Sequence, residues 1–195
     1  MIKNTIKGKV KTRLAVDIGE NLALEVYQKL LEMTLSATIP LHVDQWVLYS
    51  DFIEQNDIWQ GYNYKKAIQE GKDLGDRMMN AFKNGFKEGY QHICIIGSDC
   101  YLLDTKTLRK AFDKLKSYDF VIGPSTDGGY YLLGMNKLYK KVFQDKQWSS
   151  SKVLEHTLHD IKHQSFTYFL LKEFTDIDTK ADLDLLKIDL KDLLK

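Results

Sequence analysis

Cysteine and proline are scarce in this chain, with two of each in 195 residues. Cys94 and Cys100 are spaced neither as a CxxC redox pair nor as a zinc knuckle, so a disulfide scaffold and a thiolate metal site are excluded. Cys94, within HICIIG, reads instead as a small hydrophobe in a buried strand. Pro40 and Pro124 mark no Pro-rich linker, and no internal repeat or low-complexity stretch is present. A single domain spanning residues 1–195 is therefore expected. An excess of one charge is also missing: 28 Lys and Arg face 27 Asp and Glu, for a net charge of +1. That balance lacks the basic surplus of a nucleic-acid binder. No run approaches the ~18 apolar residues of a membrane span. The N-terminal MIKNTIKGKVKTR has no apolar segment like that of a secretory signal, so a cytoplasmic location is expected. GxxxxGK[ST], GxGxxG and GxSxG are all absent. Their absence argues against a P-loop, a dinucleotide fingerprint and a serine-hydrolase elbow.

What is present is an ordinary globular composition, 44% hydrophobic and 28% charged, at a length able to bury a core. Apolar residues recur at helical spacing over Glu20–Ser36, through Ala23, Leu24, Tyr27, Leu30, Leu31 and Leu35. Similar helical patterns cover Asp76–Glu88, the stretch after Asp104 through Leu115, and the stretch from Ser150 or Ser151 through Ile161. A leucine-rich amphipathic helix is expected from Lys180 to the end. Short apolar runs predict strands at Trp46–Tyr49, Tyr64–Gln69, His92–Ile96, Asp119–Ile122, Tyr130–Leu133 and Thr167–Leu171. Strands alternating with helices imply an α/β three-layer sandwich on a mostly parallel central sheet. Ligands of such sheets bind beyond the carboxyl ends of the strands, so the loops there are the places to look for chemistry.

Five loops qualify. Gly8–Leu14 (GKVKTRL) carries Lys9, Lys11 and Arg13 on a Gly-led turn, suited to phosphate or simply to a solvated basic segment. Gly97–Cys100 (GSDC) puts Asp99 at the edge of the strand HICII, where one carboxylate can hold a divalent cation or a ribose hydroxyl, or serve as a turn residue. Gly123–Gly134 (GPSTDGGYYLLG) places Asp127, Gly128 and Gly129 where backbone can approach a ligand, and the same residues suit a hairpin turn. Asp176 and Asp178 in DIDT share one side of an extended segment, which suits a metal, while Asp178 or Thr179 suits a helix cap. QEGKDLGDRM places Asp73 and Asp76 around a glycine before a helix, where a cap is the simpler role. His156, His159 and His163 fall opposite the apolar face of their helix and read as a solvent face.

The order of these pieces is more specific than any one of them. GKVKTRLA, KDLGDRMMNAF, IIGSDC, VIGPSTDGGYYLLG, WSSSKVLEHTL and DIDTKADL, spread from Gly8 to Leu186, resemble small bacterial glycosyltransferase-A-fold proteins. These are of the radical-SAM/selenodomain-associated transferase type. That family is related in fold to the nucleotidyltransferases that make molybdopterin dinucleotides and phospholactate-guanosine diphosphates. The resemblance implies a nucleotide-diphospho-sugar transferase fold and a glycosyltransferase using a nucleotide-sugar donor, a divalent Mg²⁺ or Mn²⁺ ion and a small-molecule acceptor. Nucleotidyl transfer to a phosphorylated acceptor and a non-catalytic nucleotide-binding relative are the alternatives. Carried onto this chain, Lys11 and Arg13 contact the donor phosphates, and Asp99 and Asp178 hold the metal. Asp99 and Asp127 are the catalytic carboxylates, and Asp127, Gly128 and Gly129 line the acceptor side as binding residues. Asp73, Gly97 and Ser98 complete the donor site. Two departures stand out. Tyr101 replaces a proline that many members carry after the GxDx tetrad. Only MIKNTI precedes the basic loop, so the first strand is expected to be a stub, or missing through a late start.

Overall fold

The structure, a computed structural model, describes residues 1–194 and divides into two compact units. The first comprises Met1–Ile68, Ser98–Thr105 and the described part of Thr175–Lys195. Its two strands, β1 (Gln45–Tyr49) and β2 (Tyr64–Ile68), pair in parallel with Gln45 opposite Tyr64. The expected first strand survives as a single parallel bridge: Ile2 pairs with Tyr49, and its N–H donates to the Leu48 carbonyl at 2.9 Å. Buried Asn4 continues the work of that stub. Its side-chain carbonyl accepts the N–H groups of Asp51 and Phe52, and its amide donates to the Phe52 carbonyl. The loop leaving β1 is thereby tied down by a side chain where a longer strand would have used backbone.

Helix α1 (Thr12–Ile18) runs through Gly19 into α2 (Glu20–Thr38). Gly19 takes a φ of 82°, the left-handed region that glycine enters without steric cost, so the helix axis can turn there. Two apolar clusters share α2. Tyr27, Leu31 and Leu35 pack with Ile2, Val10, Val47, Tyr49 and Trp59. Val26 and Leu30 pack with Leu14, Ile177, Leu183 and Leu193. The single C-terminal helix expected from the leucine pattern is instead two short ones, α6 (Lys180–Leu185) and α7 (Leu190–Leu193). Lys187 breaks them apart at a φ of 55°, and Asp189 caps the second by accepting the Lys191 N–H at 2.7 Å. Folding the segment back lets Leu183 and Leu193 bury together. A straight helix could not bring both into one small cluster.

The second unit comprises Gln69–Gly97 and Lys106–Phe174. Its sheet holds β3 (Ile93–Ile96), β4 (Phe120–Pro124), β5 (Tyr130–Met135) and β6 (Tyr168–Leu170), in the order β3-β5-β4-β6. The expectation of a mostly parallel sheet holds in part: β3, β4 and β6 share one direction, and β5 is the exception. β5 runs antiparallel to both β3 and β4, and only β4 and β6 are direct parallel neighbours. Residues 125–129 are too few for a crossover, so the chain can return only as a hairpin. β4 is buried along its whole length, whereas β3, expected to be the clearest buried strand, is only half-buried.

Helices α3 (Leu74–Lys87), α4 (Thr105–Leu115) and α5 (Val153–His163) complete the α/β pattern. On α5, Val153, Thr157 and Ile161 are buried, and the three histidines lie on the exposed side. On α3, Phe82 is fully buried, with its ring 6.3 Å from Phe86 and 5.9 Å from Phe143. Truncating it removes that aromatic packing and leaves a cavity. Phe82→Ala is expected to cost about 3–5 kcal/mol in urea denaturation, against ~0.5 kcal/mol or less for Lys116→Ala at an exposed ion pair.

Candidate active site

The site in the first unit begins with a buried lysine. Gly8 turns the chain at a φ of 76°, and Lys11 follows at a φ of 47°, just before α1. A left-handed non-glycine residue is strained by ~1–2 kcal/mol. Such strain persists only where surrounding structure enforces it, and it collects at functional sites. Here it aims the lysine inward, leaving the side chain 3% exposed. An ammonium taken out of water needs charged partners. Lys11 Nζ finds Asp99 Oδ1 at 2.5 Å and Asp178 Oδ1 at 3.0 Å. Arg13, two residues further on and mostly exposed, donates to the other oxygen of Asp178.

Backbone pairing brings the two acids together. Cys100 forms an antiparallel bridge with Asp176, and the Ile177 N–H donates to the Asp99 carbonyl at 2.9 Å. Just beyond, Asp182 accepts the N–H groups of Asp178 and Thr179 and the Thr179 hydroxyl, closing a capping box on α6. The cap expected in this segment is therefore Thr179, which leaves the Asp178 carboxylate to face the cations.

The electrostatics follow the geometry. Burial by itself would raise the Asp178 carboxyl, but Lys11 and Arg13 outweigh it and hold the group below the usual carboxylate range. Burial would likewise lower Lys11, but Asp99 and Asp178 prevail and hold the ammonium above its ordinary value. Both Lys11 and Asp178 thus stay charged across the neutral range.

Tyr27 is a site residue that sequence reasoning placed only in the core. Its ring is buried on α2, while its hydroxyl accepts the Lys3 N–H at 2.9 Å and donates to the Lys3 carbonyl at 3.0 Å. The same oxygen lies 3.5 Å from Ser98 Oγ, and the ring centroid is 6.0 Å from Lys11 Nζ. Burial pushes the phenol up to about 12. The available signal was a tyrosine on an apolar helix face, whose hydroxyl must find a partner inside.

Lys11, Arg13, Ser98, Asp99 and Asp178 thus belong to the first unit. Asp73, Gly97, Asp127, Gly128 and Gly129 belong to the second. There Asp73 caps α3 by accepting the Asp76 N–H at 2.9 Å. Gly97 donates to the Tyr131 carbonyl at 3.0 Å, and a Cβ on it would meet nothing within 4 Å. Asp127 is exposed and accepts the Gly129 N–H at 2.8 Å, the turn geometry of an aspartate at a hairpin. Gly128 is constrained twice over: its φ is 86°, and a Cβ would lie 2.0 Å from the Ser151 carbonyl oxygen.

A divalent cation can be tested against these groups. Asp99 and Asp178 each place an oxygen on one shared ammonium, so they converge well enough to share a cation. Among the described residues no group of three or more His, Cys, Asp or Glu side chains gathers to hold one. Two carboxylates alone do not complete the shell of a Mg²⁺ or Mn²⁺ ion, which would need further oxygens such as substrate phosphates. Asp178 is the weaker ligand as arranged, since both its oxygens already accept from cations.

The comparisons with known proteins agree with this architecture. A solved structure from Desulfovibrio desulfuricans G20, a candidate nucleotide-diphospho-sugar transferase, is similar at TM-score 0.90 and 30% identity. The match covers 98% of this chain and 90% of that one. The protein accordingly has the nucleotide-diphospho-sugar transferase fold. Residues 34–150 match a family model described as "Uncharacterized protein conserved in bacteria (DUF2064)", and the chain belongs to that family. It is also 28% identical over 178 residues to a 2-phospho-L-lactate guanylyltransferase of Methanocaldococcus vulcanius, covering 89% of this chain and 77% of the relative. The inositol-1-phosphate CTP transferase of T. maritima shares the fold at TM-score 0.56 and 16% identity, covering 100% of this chain and 94% of that one. Among the described residues no helix is long and apolar enough to cross a membrane.

Two outcomes follow. Gly128→Ala is expected to destabilise by about 2–4 kcal/mol in denaturation, from backbone strain plus overpacking against Ser151. For Asp178 the sign is set by its lowered folded value: its contribution is complete above the unfolded carboxyl range near ~4 and is lost as pH falls through the folded one. Asp178→Asn should thus be less stable than wild type at pH 7, by about 1–2 kcal/mol once solvent access to Asp178 is allowed for. In urea melts at successive pH values the gap should shrink below pH ~4.

Proposed function

We propose that this protein is a metal-dependent transferase that takes a nucleotide-diphosphate sugar and passes the sugar to a small-molecule acceptor. The observation that carries this reading is the meeting of Lys11, Arg13, Asp99 and Asp178, drawn from three distant segments, in one cluster. Breaking the bond from the sugar carbon to the diphosphate oxygen leaves an electron pair, and so added negative charge, on the diphosphate. Cations set beside that group stabilise the transition state more than the ground state. Lys11 and Arg13 are the cations of this chain that would do so. Asp99 engages Lys11 through one oxygen and is 41% exposed, which leaves its second oxygen for a divalent ion. When bound, that ion supplies Lewis-acid neutralisation of the phosphates. Asp178 aligns Lys11 and Arg13 and is a second ligand once they move to the donor.

The guanylyltransferase relative favours a second reading, nucleotidyl transfer to a phosphorylated acceptor. The leaving group is then pyrophosphate, and the same two cations would serve it. Isothermal titration with UDP, GDP and their sugar conjugates, with and without Mn²⁺, tests the first reading. Binding is expected to depend on the metal and to weaken at least tenfold in Asp99→Asn. Pyrophosphate release from an NTP in the presence of a phosphorylated acceptor would shift the assignment to the second reading. Failure to bind any nucleotide would overturn both.

A further inference from the structure

We infer that Lys11 occupies the cation position of its own site, excluding free divalent metal until a nucleotide brings phosphates to which the ammonium can transfer. The inference rests on the reading of the cluster as a donor-phosphate site and adds an order of events to it.

The first support is geometric. Lys11 Nζ stands where an oxygen of Asp99 and an oxygen of Asp178 converge, at 2.5 and 3.0 Å. That is the point at which the two carboxylates could share an ion. The second is burial and backbone. A lysine 3% exposed, on a left-handed residue, is not a surface side chain that has drifted onto a nearby acid. The turn after Gly8 and the Tyr27 ring beneath hold it there. The third is charge. Two carboxylates face one ammonium and one guanidinium, so these four side chains carry no net charge, and the Met1 amino group that also interacts with Asp99 supplies no negative charge to change that. A dication added to the cluster would leave two uncompensated positive charges in a partly buried place. A metal–diphosphate complex arrives with its own negative charge and with oxygens that accept from Lys11 and Arg13. The ammonium can then exchange carboxylates for phosphates while the metal takes the vacated oxygens, and no charge is left unpaired. Metal and nucleotide therefore enter together.

The test needs no turnover. Mn²⁺ is titrated into the full-length protein without nucleotide, and free Mn²⁺ is followed by electron paramagnetic resonance. Wild type is expected to bind only at millimolar levels or not at all. Lys11→Met is expected to bind at least tenfold more tightly, and Lys11→Met with Asp99→Asn to lose that gain. Arg13→Gln alters a largely exposed side chain, so it keeps the test readable if Lys11→Met fails to fold. It removes one of the two positive charges and should tighten Mn²⁺ binding by a smaller factor. Equal Mn²⁺ affinity in wild type and in the folded variants would overturn the inference, as would micromolar binding by wild type. Neither result bears on whether a nucleotide binds, so the inference can fail while the transferase reading stands, and the reverse.

Discussion

The ammonium of Lys11 sets the terms for the rest of the first unit. A lysine side chain removed from water is tolerated only if anions meet it, and both anions lie far away in sequence, at Asp99 and Asp178. Three segments must therefore arrive at one place. The bridge between Cys100 and Asp176 and the bond from the Ile177 N–H to the Asp99 carbonyl bring two of them together. The left-handed turn at Lys11 delivers the third. Asp182, by capping α6 around Thr179, fixes the backbone that carries Asp178. None of these contacts is unusual alone. Together they fix the backbone from which the charged side chains reach one another, which is one part of preorganised electrostatics.

The supporting structure shows how a small set of polar side chains can replace regular pairing. With Ile2 bridging to β1, Asn4 takes over the backbone groups of the loop after β1, and Tyr27 takes the backbone N–H and carbonyl of Lys3. Each buried amide or hydroxyl satisfies the donor or acceptor that the stub leaves open. The second unit uses the opposite means. Its hairpin of β4 and β5 is closed by backbone bonds across Ser125 and Gly129, and Gly128 sits where any side chain would strike Ser151.

A shared fold does not settle a reaction. Proteins that resemble this chain include a guanylyltransferase and a candidate nucleotide-diphospho-sugar transferase, and both chemistries leave a diphosphate behind. In the function proposed above, the cluster of Lys11, Arg13, Asp99 and Asp178 would meet that common demand. What differs between the chemistries is which bond to the donor breaks and what accepts the transferred group. Those are matters of acceptor recognition rather than of phosphate neutralisation.

Local patterns in the sequence were enough to locate most of the helices and strands. The 3.6-residue spacing of Ala23, Leu30 and Leu31 and the apolar run at WVLY each depend on neighbours close in the chain. The ordered motifs from GKVKTRLA to DIDTKADL were enough to indicate the fold and to nominate Lys11, Arg13, Asp99 and Asp178. Local patterns could not show that α1 begins inside the basic loop or that the last leucines bend back as two helices, whereas the Asp-Gly-Gly turn signal did allow the hairpin that runs β5 against β4. Nor could they show that Lys11 is buried between two carboxylates rather than waving in solvent, or that the Tyr27 hydroxyl binds the Lys3 backbone. Periodicity reports which side of an element is apolar. The partner of a charge 167 residues away is chosen only when the chain has closed, because it depends on where water has been excluded and on which opposite charges remain within reach.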